Sequence, residues 1–161
     1  DESSKRFWLL AVTCSIIPDA DVLAFSFGIP YHHPIGHRGF THSLCFALIW
    51  AILLTAIAYP KALKSIRGWK IALSFAIITA SHGLLDAMTN GGLGIALLAP
   101  FDHTRYFLPI RPILVSPIGI RNFLSQWGWA VIQSETYYIG LPCILWIGLL
   151  SIKKTFSRLK K

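Results

Sequence analysis

All-α, with about four apolar helices crossing a membrane and a metal site at their outer ends, is the fold class that this 161-residue sequence predicts. Three observations predict it. Apolar residues make up 54% of the chain and charged residues 14%, against roughly a quarter charged in a soluble domain, and the mean hydropathy is +0.57. The apolar residues fall in continuous segments rather than in an amphipathic pattern. The few acids stand beside histidines at the segment ends. At this length one membrane-embedded domain spanning residues 1–161 is expected.

The first apolar segment, 7–17, stops at Pro18, which disfavours helical continuation through the residue before it. It is too short to cross alone, since a span needs about 20 residues. The second, 43–59, carries no charge. The third, 71–85, is interrupted only by His82 and lengthens when Trp69 and Met88 are included. The fourth, 136–152, is again uncharged. Trp8, Tyr59, Trp69, Trp127, Trp129, Tyr137 and Tyr138 lie near segment ends, where amphipathic rings favour the headgroup level. Cys14, Cys45 and Cys143 sit within apolar runs without CxxC spacing, as small core residues do.

Basic residues fix an orientation. Lys5 and Arg6 precede the first segment, Lys61, Lys64, Arg67 and Lys70 join the second to the third, and Lys153, Lys154, Arg158, Lys160 and Lys161 follow the fourth. Eleven of fifteen cations thus mark one side, which the positive-inside bias assigns to the cytoplasm. Because they flank spans rather than form a stripe, the net charge of +8 does not indicate nucleic acid. The opposite, outer ends of the segments then carry Asp19, Asp21, His37, His42, His82 and Asp86. No cleavable signal peptide is legible in Asp1-Glu2-Ser3-Ser4, and the start reads as truncated.

Those six residues have the composition of a metal site, zinc or, if carboxylates dominate, manganese. His82 and Asp86 are four apart on an apolar helix and share a face, so they can chelate one ion. A hydrogen-bonded pair is the alternative, although ionisable residues inside spans are functional by default. His37 and His42 are five apart, about 140° on a continuous helix, so Gly39 must supply a turn before Thr41 or Ser43 caps the next helix. Pro18-Asp19-Ala20-Asp21, if extended, aims both carboxylates one way; otherwise it is a helix-terminus cluster.

These strings carry a family resemblance. Pro-Asp-Ala-Asp, His-Arg-Gly-Phe-Thr-His-Ser and Ser-His-Gly-Leu-Leu-Asp-Ala-Met-Thr-Asn-Gly-Gly, then Pro100-Phe101-Asp102 and Arg105-Tyr106-Phe107-Leu108-Pro109, resemble the bacterial membrane-bound metal-dependent hydrolases. This group is also called the LexA-binding inner-membrane-associated hydrolases, and the likeness covers residues 7–121. More remotely, an Asp, a His and an HxxxD on helices are similar to the zinc-dependent phospholipase C arrangement, which implies phosphoester hydrolysis. The family opens with a helix bearing a Thr-His pair, which this sequence lacks. An upstream span whose histidine completes the site is therefore expected.

The segment 89–121 is the expected substrate wall. Its Thr89-Asn90-Gly91-Gly92-Leu93-Gly94 reads either as a glycine cap or as a backbone nest for an anion. The outer cations Arg38, Arg105, Arg111 and Arg121 are all Arg, whose planar fork suits phosphate; pairing with Asp102 and Glu135 is the alternative. His103 has no partner at a diagnostic spacing. The function expected is a multi-pass hydrolase of the bacterial inner membrane, its site facing the periplasm, cleaving a phosphoester of a lipid or lipid-linked substrate. Asp19, Asp21, His37, His42, His82 and Asp86 would hold one or more ions, with Asp21 ligating a second ion or acting as general base, and Arg105 and Arg111 would stabilise charge. The competing reading is a non-enzymatic membrane protein with a structural or transported ion. Transport needs polar residues through the depth of the spans, and the second and fourth segments offer almost none.

Overall fold

The computed structural model describes residues 2–159; Asp1, Lys160 and Lys161 lie outside the described residues. The regular secondary structure is helical, with two isolated β-bridges and no strand among the described residues. In order come α1 (Glu2–Ile16), a 3₁₀ helix (Ile17–Phe27), a short 3₁₀ turn (Phe40–His42), α2 (Leu44–Ala58) and α3 (Ile66–Ala87). After an irregular stretch follow α4 (Ile120–Phe123), α5 (Gln126–Glu135), a π-helical turn (Thr136–Gly140) and α6 (Leu141–Leu159).

Two compact units result. One comprises the chain up to Met88 together with Gly92–Ile110; the other comprises Thr89–Gly91 and the chain from Arg111 onward. In the first, α1, α2 and α3 pack around Ala11, Cys14, Ala51, Phe75 and Ala76. The small residues let helices approach closely, as packing in lipid requires, and Phe7 stacks on Phe75 with ring centroids 5.3 Å apart. The large apolar side chains Leu9, Val12, Leu48, Ile52, Leu73 and Ile77 point outward, the arrangement of a helix group solvated by lipid tails. In the second unit the 113–115 backbone is tied to Asn90, Ser134 and Trp127, and α6 presents exposed apolar side chains.

Three helical runs are long and apolar enough to cross a membrane: Ser4–Phe27, Ile66–Ala87 and Gln126–Arg158. Two expectations change accordingly. The first segment is not too short, because the chain continues past Pro18 as a 3₁₀ helix, with proline at its first turn, where a missing N–H costs nothing. The second is shorter than expected: α2 has 15 residues, about 22 Å of helix. Ser43 starts it, accepting the Phe46 N–H at 3.1 Å, and Tyr59 before Pro60 ends it. Of the cysteines, only Cys14 is fully buried; Cys45 is half-buried and Cys143 lies exposed on α6 rather than in a core.

Candidate metal centre

Asp19 and Asp21 ride on the 3₁₀ helix, not on an extended strand, so the two carboxylates take separate directions. Gly28 closes that helix in the left-handed region, φ 75°. The chain then winds through tight turns to the Phe40–His42 turn, where a Cβ on Gly39 would meet the Pro34 carbonyl oxygen at 2.3 Å. His42 is pressed against α3 in the same way. A Cβ on Gly83 would stand 2.8 Å from the His42 carbonyl oxygen, so glycine between His82 and Asp86 permits the third ligand-bearing element to reach the pair.

Four side chains meet there. Their donor atoms, one each from Asp19, His42, His82 and Asp86, all lie within 4.8 Å of one another. His42 Nε2 is 3.1 Å from Asp86 Oδ2 and 3.5 Å from Asp19 Oδ1; His82 Nε2 is 3.3 Å from Asp19 Oδ1 and 3.8 Å from Asp86 Oδ2. A tetrahedral ion with bonds of about 2.0–2.2 Å places its ligands about 3.4 Å apart, so the spacing is that of a metal shell. Both Nε2 atoms are buried without a hydrogen-bond partner among the described residues. The Asp19 and Asp86 carboxylates stand beside them.

The other nitrogen of each ring is committed. His82 Nδ1 lies 2.8 Å from the Ser15 carbonyl, which only accepts, so Nδ1 carries the proton. His42 Nδ1 faces Asp21 Oδ2 at 3.2 Å and the Thr41 hydroxyl at 3.0 Å. That hydroxyl donates to Asp21 Oδ2 at 2.6 Å, leaving its oxygen to accept. Each neutral ring therefore presents its Nε2 lone pair to the centre, the outer-shell logic that orients metal-binding histidines.

Asp21 and His37 form a layer behind this centre. Asp21 is paired with His37 Nδ1 at 2.7 Å and accepts the Arg38 N–H at 3.1 Å in addition to Thr41. Asp21, His37 and His42 make a second group able to hold an ion, though their hydrogen bonds already satisfy one another. Arg38 joins both layers: it is buried, adopts φ 61°, and places its guanidinium 2.9 Å from Asp86 Oδ1. A non-glycine residue in the left-handed region marks a backbone held by its surroundings. Burial pulls the pKa of His42 down, but the Asp19, Asp21 and Asp86 carboxylates, placed to accept from the protonated ring, outweigh it and raise it from 6.5 to about 10. In a bare site a proton thus occupies the place that a cation would fill.

Within the first unit, Arg105, Asp102 and His103 are not among the metal donor groups. The Arg105 guanidinium donates to the carbonyls of His37 (3.0 Å), Tyr31 (3.1 Å), His33 (3.3 Å) and Gly94 (3.4 Å), so it clamps the 31–37 loop. Arg111 belongs to the second unit. Asp102 accepts from Thr104, whose N–H lies 2.8 Å away, and from Tyr106 Oη at 2.8 Å; the Thr104 bonds first, then that of Tyr106, hold its carboxyl below the ordinary range. His103 is exposed. Nor does a glycine cap end α3, since its C-cap is Met88; Gly92 and Gly94 take φ of 82° and 77° against Tyr31 Oη, Arg38 Nη1 and the Tyr106 backbone. Arg38, Thr41 and the Ser15 carbonyl had not been singled out as parts of the centre. Only the string between the two histidines hinted at the first two.

A family model described as YdjM inner membrane protein matches residues 1–157. Inner membrane protein YbcI of Escherichia coli (strain K12) is 38% identical over 148 residues, covering 90% of this chain and 83% of that protein. No solved structure matches the chain.

Proposed function

Since the chain belongs to the YdjM inner membrane protein family, we propose that it is a bacterial inner-membrane hydrolase whose divalent ion, most plausibly zinc, acts on a phosphoester of a lipid or lipid-linked substrate. One observation carries this reading. Two imidazole Nε2 atoms with committed partners behind them and two carboxylates converge at ligand spacing on the ends of membrane helices.

Asp19, His42, His82 and Asp86 would hold the ion. When bound, it supplies Lewis acidity and lowers the pKa of a water toward 7. The protein residues do the rest. Asp21 and Ser15 keep protons on the Nδ1 atoms of His42 and His82. Arg38 orients Asp86 and sets a positive charge beside the centre. Asp19, whose side chain is 52% exposed, marks where water and a headgroup reach the ligands. Hydrolysis adds the water oxygen to phosphorus, breaks the P–O ester bond and delivers the water's proton to the leaving alcohol. By the positive-inside bias this end faces the periplasm.

Four protein ligands also suit a closed structural shell, which favours a non-catalytic ion as the second reading. Assaying the metal-loaded protein in phospholipid nanodiscs against a chromogenic phosphodiester decides between them. Turnover that chelator removes and metal restores supports the hydrolase; full metal occupancy without turnover supports the structural ion.

A further inference from the structure

The two oxygens of Asp86 are turned to different neighbours. Oδ1 accepts from the Arg38 guanidinium at 2.9 Å, whereas Oδ2 faces the imidazoles, 3.1 Å from His42 Nε2 and 3.8 Å from His82 Nε2. The arginine that makes this division is itself held from several sides. Its N–H donates to Asp21 Oδ2 at 3.1 Å, its carbonyl accepts the Ala96 N–H at 3.0 Å, and its backbone takes φ 61°. Gly92 lies against the guanidinium: a Cβ there would come 2.9 Å from Arg38 Nη1 and 2.8 Å from Tyr31 Oη. Arg38 is 3% exposed, so releasing Oδ1 would require the surrounding loops to move.

We propose that Arg38 sets the coordination number of the ion, and with it the choice of metal. A carboxylate able to offer both oxygens suits manganese and calcium, which take six or more oxygen-rich ligands. With Oδ1 held by Arg38, Asp86 presents Oδ2 alone to the centre. Four single donors, from Asp19, His42, His82 and Asp86, then make the tetrahedral shell that zinc prefers. A guanidinium fork fixes one carboxylate oxygen in direction, whereas an ammonium is a point charge on a flexible stem. Arg38 is a positioning residue, acting through Asp86. The inference rests on the metal centre proposed above and not on hydrolysis, so its test needs no turnover.

Cobalt(II) bound to the full chain in detergent reads the shell directly, because tetrahedral cobalt(II) absorbs visible light far more strongly than six-coordinate cobalt(II). Chelator-buffered titrations supply the ratio of zinc to manganese affinity. We expect the intense tetrahedral spectrum in the wild type, its loss in Arg38→Met, and a fall of about tenfold or more in the ratio. Arg38→Lys should fall between the two. Met and Lys are unbranched, so neither adds strain at φ 61°. Gly92→Ala keeps Arg38 and every donor but crowds the guanidinium; it should shift both readouts the same way, and it decides alone if Arg38→Met does not fold. Zinc and manganese weakened alike with the cobalt spectrum unchanged would show a merely structural role and overturn the proposal, as would a six-coordinate spectrum in the wild type. A wild type that takes up no cobalt or zinc overturns the metal centre itself, and this inference with it.

Discussion

Asp21 Oδ2 stands 3.2 Å from His42 Nδ1, while Nε2 of the same ring faces Asp86 Oδ2 at 3.1 Å. The ring thereby links a buried, hydrogen-bonded carboxylate to an open set of metal donors. Asp21→Asn should keep a side chain of the same size but lose the charge that fixes the Nδ1 proton. Outer-shell losses of this kind weaken metal binding by roughly 10 to 100-fold. Chelator competition would register that loss, and an affinity equal to the wild type would remove Asp21 from the centre.

A pH dependence follows from His42. Its pKa of about 10 in the folded, ion-free protein exceeds the unfolded value of about 6.5. The stability it contributes is therefore fully present below about 6.5 and lost as pH rises through about 10. The groups facing it are Asp19, Asp21, Asp86, His37 and His82. An ion must displace the His42 proton, so affinity should rise about tenfold per pH unit below that pKa. Titrations with chelator-buffered zinc over two or so units around neutrality would measure the slope; a flat profile contradicts the displacement.

Gly83→Ala should separate close approach from ligand chemistry. The new methyl would stand 2.8 Å from the His42 carbonyl oxygen, forcing α3 and the Phe40–His42 turn apart at a cost of about 1–3 kcal/mol. Metal affinity and thermal stability should fall together although every ligand remains. Unchanged affinity would show that the turn gives way without moving His42.

Arg105→Gln should behave as a loop mutation. Because the guanidinium holds four backbone carbonyls, the loss should appear as lower stability and faster proteolysis in the 31–37 loop. A raised KM for substrate with unchanged stability would instead restore Arg105 to substrate binding.

Much of the centre was legible in the sequence because acids are scarce and HxxxD spacing fixes two ligands on one face, as His82 and Asp86 are. Spacing cannot tell which imidazole nitrogen meets which oxygen. Asp21 and His37, read as ligands, form with His42 a second group able to hold an ion, behind the four-residue set. For Arg105 the sequence offers a substrate anion or an acid such as Asp102 or Glu135 as partner, because carbonyls of a loop some seventy residues away leave no mark in sequence spacing. The lengths of the first two segments were misread for a related reason. Pro18 ends α1 but opens a 3₁₀ helix, and Tyr59 before Pro60 ends α2 after 15 residues.

The central claim is that Asp19, His42, His82 and Asp86 hold one ion. Elemental analysis of protein purified without chelator or added metal, alongside His82→Ala and Asp86→Ala that remain folded in detergent, tests it most directly. The account predicts about one divalent ion per wild-type chain, in a tetrahedral His/carboxylate shell, and near-complete loss in both variants. No metal in the wild type, or full occupancy in both variants, would contradict it.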